Sequence, residues 1–248
     1  MREKILITGA SAGLGAGMAR EFAAKGRSLA LCARRLDRLQ QLRDELRAAH
    51  PGIVVSIRRL DVDDHDQVFE VFRAFHDDLG RLDRVIVNAG IGKGQPIGSG
   101  RFDANLATAR TNFIAALAQC EAAMEIFRKQ NAGHLVVVSS MGALRGLPRN
   151  VTTYAATKAG VAALAEGIRA EMLPTPIAVT TLYPGYVRTD MNAHAPKSPL
   201  IVSERVGARA MVAAVEREPA KAYVPRFPWS ALSLAMRFLP LRVIRRLV

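Results

Sequence analysis

The sequence predicts an α/β fold: a single doubly wound domain with a parallel seven-stranded sheet flanked by helices. Three observations predict it. Short β-branched runs alternate with longer helical stretches along the chain. The runs are apolar on both faces, as strands covered by helices on either side must be. No internal repeat or low-complexity linker divides the 248 residues, a length suited to one large core.

The strand candidates, in order, are K-I-L-I-T (4–8), S-L-A-L-C (28–32), V-V-S-I-R (54–58), R-V-I-V-N (84–88), H-L-V-V-V-S-S (134–140), A-V-T-T-L-Y (178–183) and A-Y-V (222–224). Helix candidates lie between them, near 14–25, 36–49, 65–79, 102–130, 152–172 and 203–217. Residues 1–225 read as the main domain, with 226–248 as an apolar and basic tail on the same domain or at an interface. In such sheets ligands bind beyond the carboxyl ends of the strands, so the residues just after each strand carry the functional information.

Composition narrows the field. Half the residues are hydrophobic and 23% are charged, which suits a soluble globular protein. The two cysteines, Cys32 and Cys120, offer no disulfide framework, and five scattered histidines lack metal-site spacing, so no metal is expected. The N-terminus lacks a signal peptide's apolar core, and no apolar run is long enough to span a bilayer. A cytoplasmic protein is expected. The net charge of +13 is spread along the chain without an aromatic-rich RNA-binding motif, so no nucleic-acid partner is expected.

The first strand runs into T-G-A-S-A-G-L-G, with Gly9, Gly13 and Gly15 directly between strand and helix. Glycines let a phosphate approach the main chain, and the helix start presents free N–H groups to it. A dinucleotide site is expected here; a plain glycine-rich turn is the competing reading. After the second strand, Ala33 stands where NAD-binding folds carry an acid for the ribose, and Arg34 and Arg35 follow. Guanidinium groups grip phosphates with paired hydrogen bonds, so NADP(H) is preferred over NAD(H). Arg34 is the expected phosphate contact, with Arg35 stacking or assisting; two surface arginines opening a helix remain the alternative. After the third strand comes L-D-V (60–62), where Asp61 could meet the adenine amino group or cap the next helix. After the fourth comes N-A-G (88–90), small residues that let main chain lie against a ribose.

Tyr154 and Lys158 in Y-A-A-T-K stand four apart and share a helix face. An ammonium beside a phenol stabilises the phenolate, although i,i+4 pairs are commonplace on ordinary helices.

Taken together, T-G-x-x-x-G-x-G at 8–15, D-V at 61–62, N-A-G at 88–90, Asn112, S-S at 139–140, Y-x-x-x-K at 154–158 and P-G at 184–185 closely resemble the classical short-chain dehydrogenase/reductase family. The likeness covers nearly all of residues 4–225. It implies a Rossmann-like, NAD(P)(H)-dependent oxidoreductase that interconverts a carbonyl and an alcohol. The implied catalytic set is Asn112, Ser140, Tyr154 and Lys158, with Tyr154 as acid/base, Lys158 lowering its pKa and binding the nicotinamide ribose, Ser140 on the substrate oxygen and Asn112 holding water. Bringing a phenol from about 10 to near 7 needs roughly 4 kcal/mol.

The implied cofactor contacts begin with Gly9, Ser11, Gly13, Leu14 and Gly15 of the glycine loop, then Arg34 and Arg35. They continue through Asp61, Val62, Asn88, Ala89 and Gly90, and the catalytic pair Tyr154 and Lys158. Pro184, Gly185, Val187 and Thr189 complete them, in a loop resembling the one that closes over the nicotinamide. The chain departs from the family pattern in three places. Val87 replaces a first asparagine, the 14-residue step from Ser140 to Tyr154 is one longer than usual, and Ala12 lacks a basic side chain. An extra residue within 149–153 accounts for the step, and Ser139 is the alternative to Ser140.

The resemblance places the substrate loops at 91–98, 141–148 and 191–200, where Met141, Leu144, Leu147 and Met191 suggest an apolar or lipid-like small-molecule substrate. Lys93 and Arg145 could meet an anionic group. A non-catalytic dinucleotide-binding sensor or scaffold is the rival reading. The resemblance also implies a homodimer or homotetramer. The tail combines Trp229, Phe238 and leucines with Arg237, Arg242, Arg245 and Arg246; it could pack on the substrate site or a second subunit, or associate weakly with a membrane surface.

Overall fold

Side-chain alternation along each strand sorts the apolar residues onto two faces, and the chain folds accordingly. The computed structural model describes residues 2–92, 94–188 and 200–247, the side chains of 246 and 247 excepted. The strands are β1 (Lys4–Thr8), β2 (Ser28–Ala33), β3 (Val55–Arg59), β4 (Arg84–Val87), β5 (Gly133–Val138), β6 (Ile177–Pro184) and β7 (Lys221–Val224). They form one seven-stranded sheet in the order β3-β2-β1-β4-β5-β6-β7, every pair parallel. The order reverses between β1 and β4, which opens a crevice at their carboxyl ends. The expected fold class is the one observed.

Helices α1 (Gly13–Ala23), α2 (Leu36–Ala49), α3 (His65–Leu79), α4 (Phe102–Ala109), α5 (Ala115–Gln130), α6 (Thr152–Met172) and α7 (Glu204–Val215) cover the sheet. On one face Leu6, Val85, Val87, Leu135 and Val137 pack against Phe72 and Phe75 of α3, Phe127 of α5 and Val161 of α6. On the other, Ile5, Ile7, Leu29, Leu31 and Ile86 pack against Met18 and Phe22 of α1, Leu39 of α2 and Met211 of α7. Each fully buried Leu, Ile or Phe contributes about 1.5–3 kcal/mol. Cys32 and Cys120 are buried free thiols in these cores.

The helix expected over 102–130 is interrupted. Residues Arg110–Ile114 form a π turn, because the side chain of Asn112 leaves the helix to bond the main chain of Ile91. The tail, read from the sequence without secondary structure, forms α8 (Arg226–Phe238) and α9 (Leu241–Leu247).

Arg84, at the amino end of β4, is 1% exposed, although an arginine opening a strand reads as a solvated charge. Its guanidinium donates to Glu216, to Glu218, to the Val215 carbonyl and to Nδ1 of His134. His134 is fully buried, and burial holds its pKa down at about 3, so the ring is neutral and Nδ1 accepts. This network locks the end of the sheet opposite the crevice.

Candidate active site

Residues that follow each strand meet at the carboxyl end of the sheet. Gly9 and Gly13 take φ values of 64° and 55°, which side-chain-bearing residues rarely adopt. They turn β1 into α1, whose first residue carries no side-chain cap, leaving the helix start open to an anion. At Gly15 a methyl group would stand 2.4 Å from the Gly9 carbonyl oxygen, so the loop closes only on glycine. Leu14 packs beneath the loop against the second core.

Thr8 binds this loop to the end of β4. Its hydroxyl accepts from the N–H groups of Asn88 (3.0 Å) and Ala89 (3.1 Å), and its carbonyl accepts from the Asn88 amide (2.9 Å). The Asn88 side chain is therefore engaged in holding two strand ends together. Thr8 stood in the glycine motif without being singled out, because a threonine ending a strand gives no local signal of a cross-strand tie.

At the end of β2 the two arginines diverge. Arg35, just before α2, donates from Nε and Nη2 to the Ser11 hydroxyl at 3.3 and 3.1 Å, across the glycine loop. Arg34 is exposed and makes no hydrogen bond or ion pair to another described residue. Arg35 is thus held at the loop, while the guanidinium of Arg34, the phosphate contact expected from sequence, stands uncommitted at the surface; adjacent residues on an extended strand end point to opposite sides. After β3, Asp61 accepts from Asp63 N–H, whereas the helix cap is Asp64, which accepts from Gln67 N–H at 3.2 Å. Capping is thus removed as an alternative for Asp61. Val62 is buried in the first core.

The catalytic candidates converge. Asn112 is 1% exposed; its Oδ1 accepts from Ile91 N–H and its Nδ2 donates to the Ile91 carbonyl, both at 2.8 Å. A Cβ on Gly90 would lie 3.1 Å from Asn112 Oδ1 and 3.5 Å from Lys158 Nζ, which sets these three residues around one point. Lys158 Nζ donates to the Val138 carbonyl at 2.9 Å and lies 5.9 Å from the centroid of the Tyr154 ring. Both side chains share one face of α6, as the i,i+4 spacing predicts.

Burial pulls the Lys158 ammonium down to about 8. Burial also raises the Tyr154 phenol, a hydrogen bond with Ser140 opposes the rise, and the nearby Tyr186 adds to it. The expected depression of Tyr154 by Lys158 is not found: the ammonium is turned to the Val138 carbonyl, and loss of water dominates around the phenol.

Ser139 and Ser140 separate cleanly. Ser139 is 2% exposed and donates to the Lys158 carbonyl at 2.7 Å, a tie between β5 and α6. Ser140 accepts from Gly142 N–H at 3.1 Å and bonds with Tyr154. Between Ser140 and Tyr154 the chain makes a 3-10 turn, Arg149–Val151, with Arg149 at a φ of 62°.

At the end of β6 Pro184 is buried, and the Gly185 N–H that follows donates to the Val224 carbonyl. A Cβ on Gly185 would stand 1.9 Å from the Trp229 ring, so the indole of α8 rests directly on this turn. Trp229 was read as part of the apolar tail; its contact with Gly185 links positions 44 residues apart and leaves no local trace. Val187 bridges Val202 and is buried against Gly207. Thr189, Lys93 and Met191 lie outside the described residues, as does most of the 191–200 loop. Met141 and Leu147 are core residues, Met141 with Tyr183 and Trp229, Leu147 with Ala155 and Ile244. Arg145 donates to the Arg237 carbonyl at 2.7 Å, where it ties a loop to α8. Tyr186 is 48% exposed, packs edge-on against Trp229 and stands close to Tyr154. Among the described residues no group of acids, histidines and cysteines could hold a metal ion, and no helix is long and apolar enough to cross a membrane.

A family model described as short chain dehydrogenase matches residues 3–199. An uncharacterized oxidoreductase of Mycobacterium tuberculosis (strain H37Rv) is 52% identical over 245 residues, covering 99% of this chain and 97% of that protein. An alcohol dehydrogenase from the archaeon Thermococcus sibiricus, complexed with 5-hydroxy-NADP, superposes with a TM-score of 0.79 at 25% identity, over 89% of this chain and 95% of its own. A short chain dehydrogenase/reductase from Burkholderia phymatum in complex with NAD has a TM-score of 0.83 at 22% identity, over 95% and 92% of the two chains; this likeness is one of fold.

Proposed function

The chain belongs to the short chain dehydrogenase family of oxidoreductases, and from that premise we propose that it interconverts a carbonyl and an alcohol by NADP(H)-dependent hydride transfer, with Tyr154 as acid/base. The observation that carries the reading is the convergence of Tyr154, Ser140 and Lys158 beside Gly90 and Asn112 at the crevice end of the sheet.

The residues fit a dinucleotide. A Cβ would clash at Gly9 and Gly15, Gly13 takes a positive φ, and the start of α1 offers its N–H groups to a pyrophosphate. Ser11, Leu14, Asp61, Val62, Asn88, Ala89, Gly90, Pro184, Gly185 and Val187 border the same crevice in this reading, with Thr189 assigned from sequence alone. The preference for NADP(H) is supported by Ala33 in place of an acid and by two arginines, of which Arg35 reaches the glycine loop. When bound, the nicotinamide supplies or accepts the hydride.

In the reducing direction Ser140 holds the carbonyl oxygen, and Tyr154 passes its phenolic proton to that oxygen as hydride joins the carbon. The proton returns to Tyr154 in oxidation. A phenol raised by burial remains protonated at neutral pH, which suits the reducing direction. Lys158 supplies positive charge beside the site, and Asn112 fixes Ile91 and the loop after β4. The half-exposed Tyr186 next to Tyr154 and Trp229 supports an apolar substrate.

Absorbance of NADPH and NADH, followed separately with a panel of ketones and aldehydes, tests the reading. Tyr154→Phe is expected to lower turnover by about 10²–10⁴-fold with cofactor binding retained. Dinucleotide binding by the wild type without turnover of any carbonyl would establish the sensor reading instead. Arg34→Ala, and to a smaller extent Arg35→Ala, should weaken NADPH binding more than NADH binding; equal effects on both cofactors would remove the phosphate assignment.

A further inference from the structure

Helix α8 is apolar on both sides. Trp229, Leu232 and Met236 turn inward and pack with Met141 and Tyr183 at the edge of the crevice. On the opposite side Ala231, Leu234 and Phe238 follow the i, i+3, i+7 spacing of one helix face, and all are exposed. Phe227 precedes the regular part of the helix and Leu241 opens α9. Phe227, Leu234, Phe238 and Leu241 are 83%, 62%, 79% and 66% exposed. A helix that only completed its own core would carry polar residues outward.

The segment that carries this apolar ridge has one sign of charge. Residues 226–248 contain five arginines and no aspartate or glutamate. Arg226, Arg242 and Arg245 are exposed and make no ion pair to another described residue. Arg145 is fastened to the Arg237 carbonyl. Glu166, an acid that interacts with Arg237, is paired with Lys221 at 2.9 Å. Exposed phenylalanines and leucines on the same two helices as exposed guanidinium groups without ion-pair partners among the described residues match a surface that is apolar within and negatively charged at its boundary.

We propose that α8 and α9 form a docking surface for an anionic lipid bilayer. The apolar ridge enters the acyl boundary and the arginines meet the lipid phosphates. Because Trp229 on the inner side rests on Gly185, docking sets the crevice beside the membrane, where an apolar substrate would be concentrated. A second copy of the chain is the weaker occupant, since it would bring the same arginines face to face.

Flotation of the full chain with vesicles of phosphatidylglycerol and phosphatidylcholine in equal parts, at physiological ionic strength, tests this without any need for turnover. The protein is expected to float with these vesicles and not with phosphatidylcholine alone. Substituting Arg226, Arg242 and Arg245 together by Gln should weaken partitioning on the order of 100-fold. The combined F227S, L234S and F238S variant should weaken it about tenfold or more. Because all three apolar side chains are exposed, that variant should unfold at the same temperature as the wild type. Absence of flotation by the wild type overturns the proposal. Flotation lost in the arginine variant but kept in the serine variant overturns it too, because the overall charge of the chain then suffices. A dimer that dissociates in the serine variant, with no wild-type flotation, assigns the ridge to a second copy.

Discussion

Replacing Lys158 by methionine removes a buried ammonium and keeps a side chain of similar length. Burial brings the Lys158 pKa from 10.5 to about 8, a gap worth about 3 kcal/mol. Below pH 8 the native and unfolded chains both hold this proton, and the native state bears the full cost of a charge taken from water. Between about 8 and 10.5 the unfolded chain keeps the proton while the native chain releases it, so this group's contribution to stability rises with pH. Urea unfolding of wild type and Lys158→Met at pH 7 and 10.5 measures the effect, because other titrating groups cancel in the difference. The wild type should gain about 3 kcal/mol on the variant across that window. At pH 7 the variant leaves the Val138 carbonyl without its donor, a loss of about 1–3 kcal/mol that roughly offsets the relief of the buried charge. The variant should therefore be about as stable as the wild type at pH 7 while losing turnover, as expected where a site is kept at the expense of stability. A difference that stays constant within about 0.5 kcal/mol, or that shrinks as pH rises, refutes the assignment of a desolvated ammonium.

The two serines separate activity from stability. Ser140→Ala should lower kcat with little change in melting temperature, whereas Ser139→Ala should lose about 1 kcal/mol with kcat nearly unchanged, from its bond to the Lys158 carbonyl; the reverse pattern would restore Ser139 as the substrate contact. Gly185→Ala places a methyl 1.9 Å from the Trp229 ring and should cost about 3 kcal/mol. Emission from Trp229, the one tryptophan of the chain, should shift in that variant, and adding Trp229→Leu should recover part of the loss; an unchanged emission and melting temperature would place the indole elsewhere.

The architecture was legible because local composition carries it. A parallel sheet covered on both faces forces apolar runs, and α2, α3 and α6 span the expected residues because their amphipathic patterns begin and end in turn signals. The glycine loop, the N-A-G turn and the Tyr154–Lys158 pair were visible for a related reason: positive φ angles at Gly9 and Gly13 and the close approach of Asn112 at Gly90 favour glycine, and one helical turn fixes which side chains share a face. The break at Arg110–Ile114 was not legible, since it depends on Ile91 arriving beside Asn112 from a distant loop.

The same distinction divides the chemistry. Residue type and spacing by themselves determined which groups could handle a proton and a phosphate. Only the tertiary structure decided their state, because desolvation and hydrogen bonding depend on neighbours remote in the chain. It turned Lys158 toward Val138, raised the Tyr154 phenol by burial, and tied Ser139 to the Lys158 carbonyl while Ser140 bonds with Tyr154. It brought Arg35 to Ser11, and seated Trp229 on Gly185 while the opposite side of α8 stayed bare. Each of these outcomes is a matter of distance between segments, and sequence order does not record that distance.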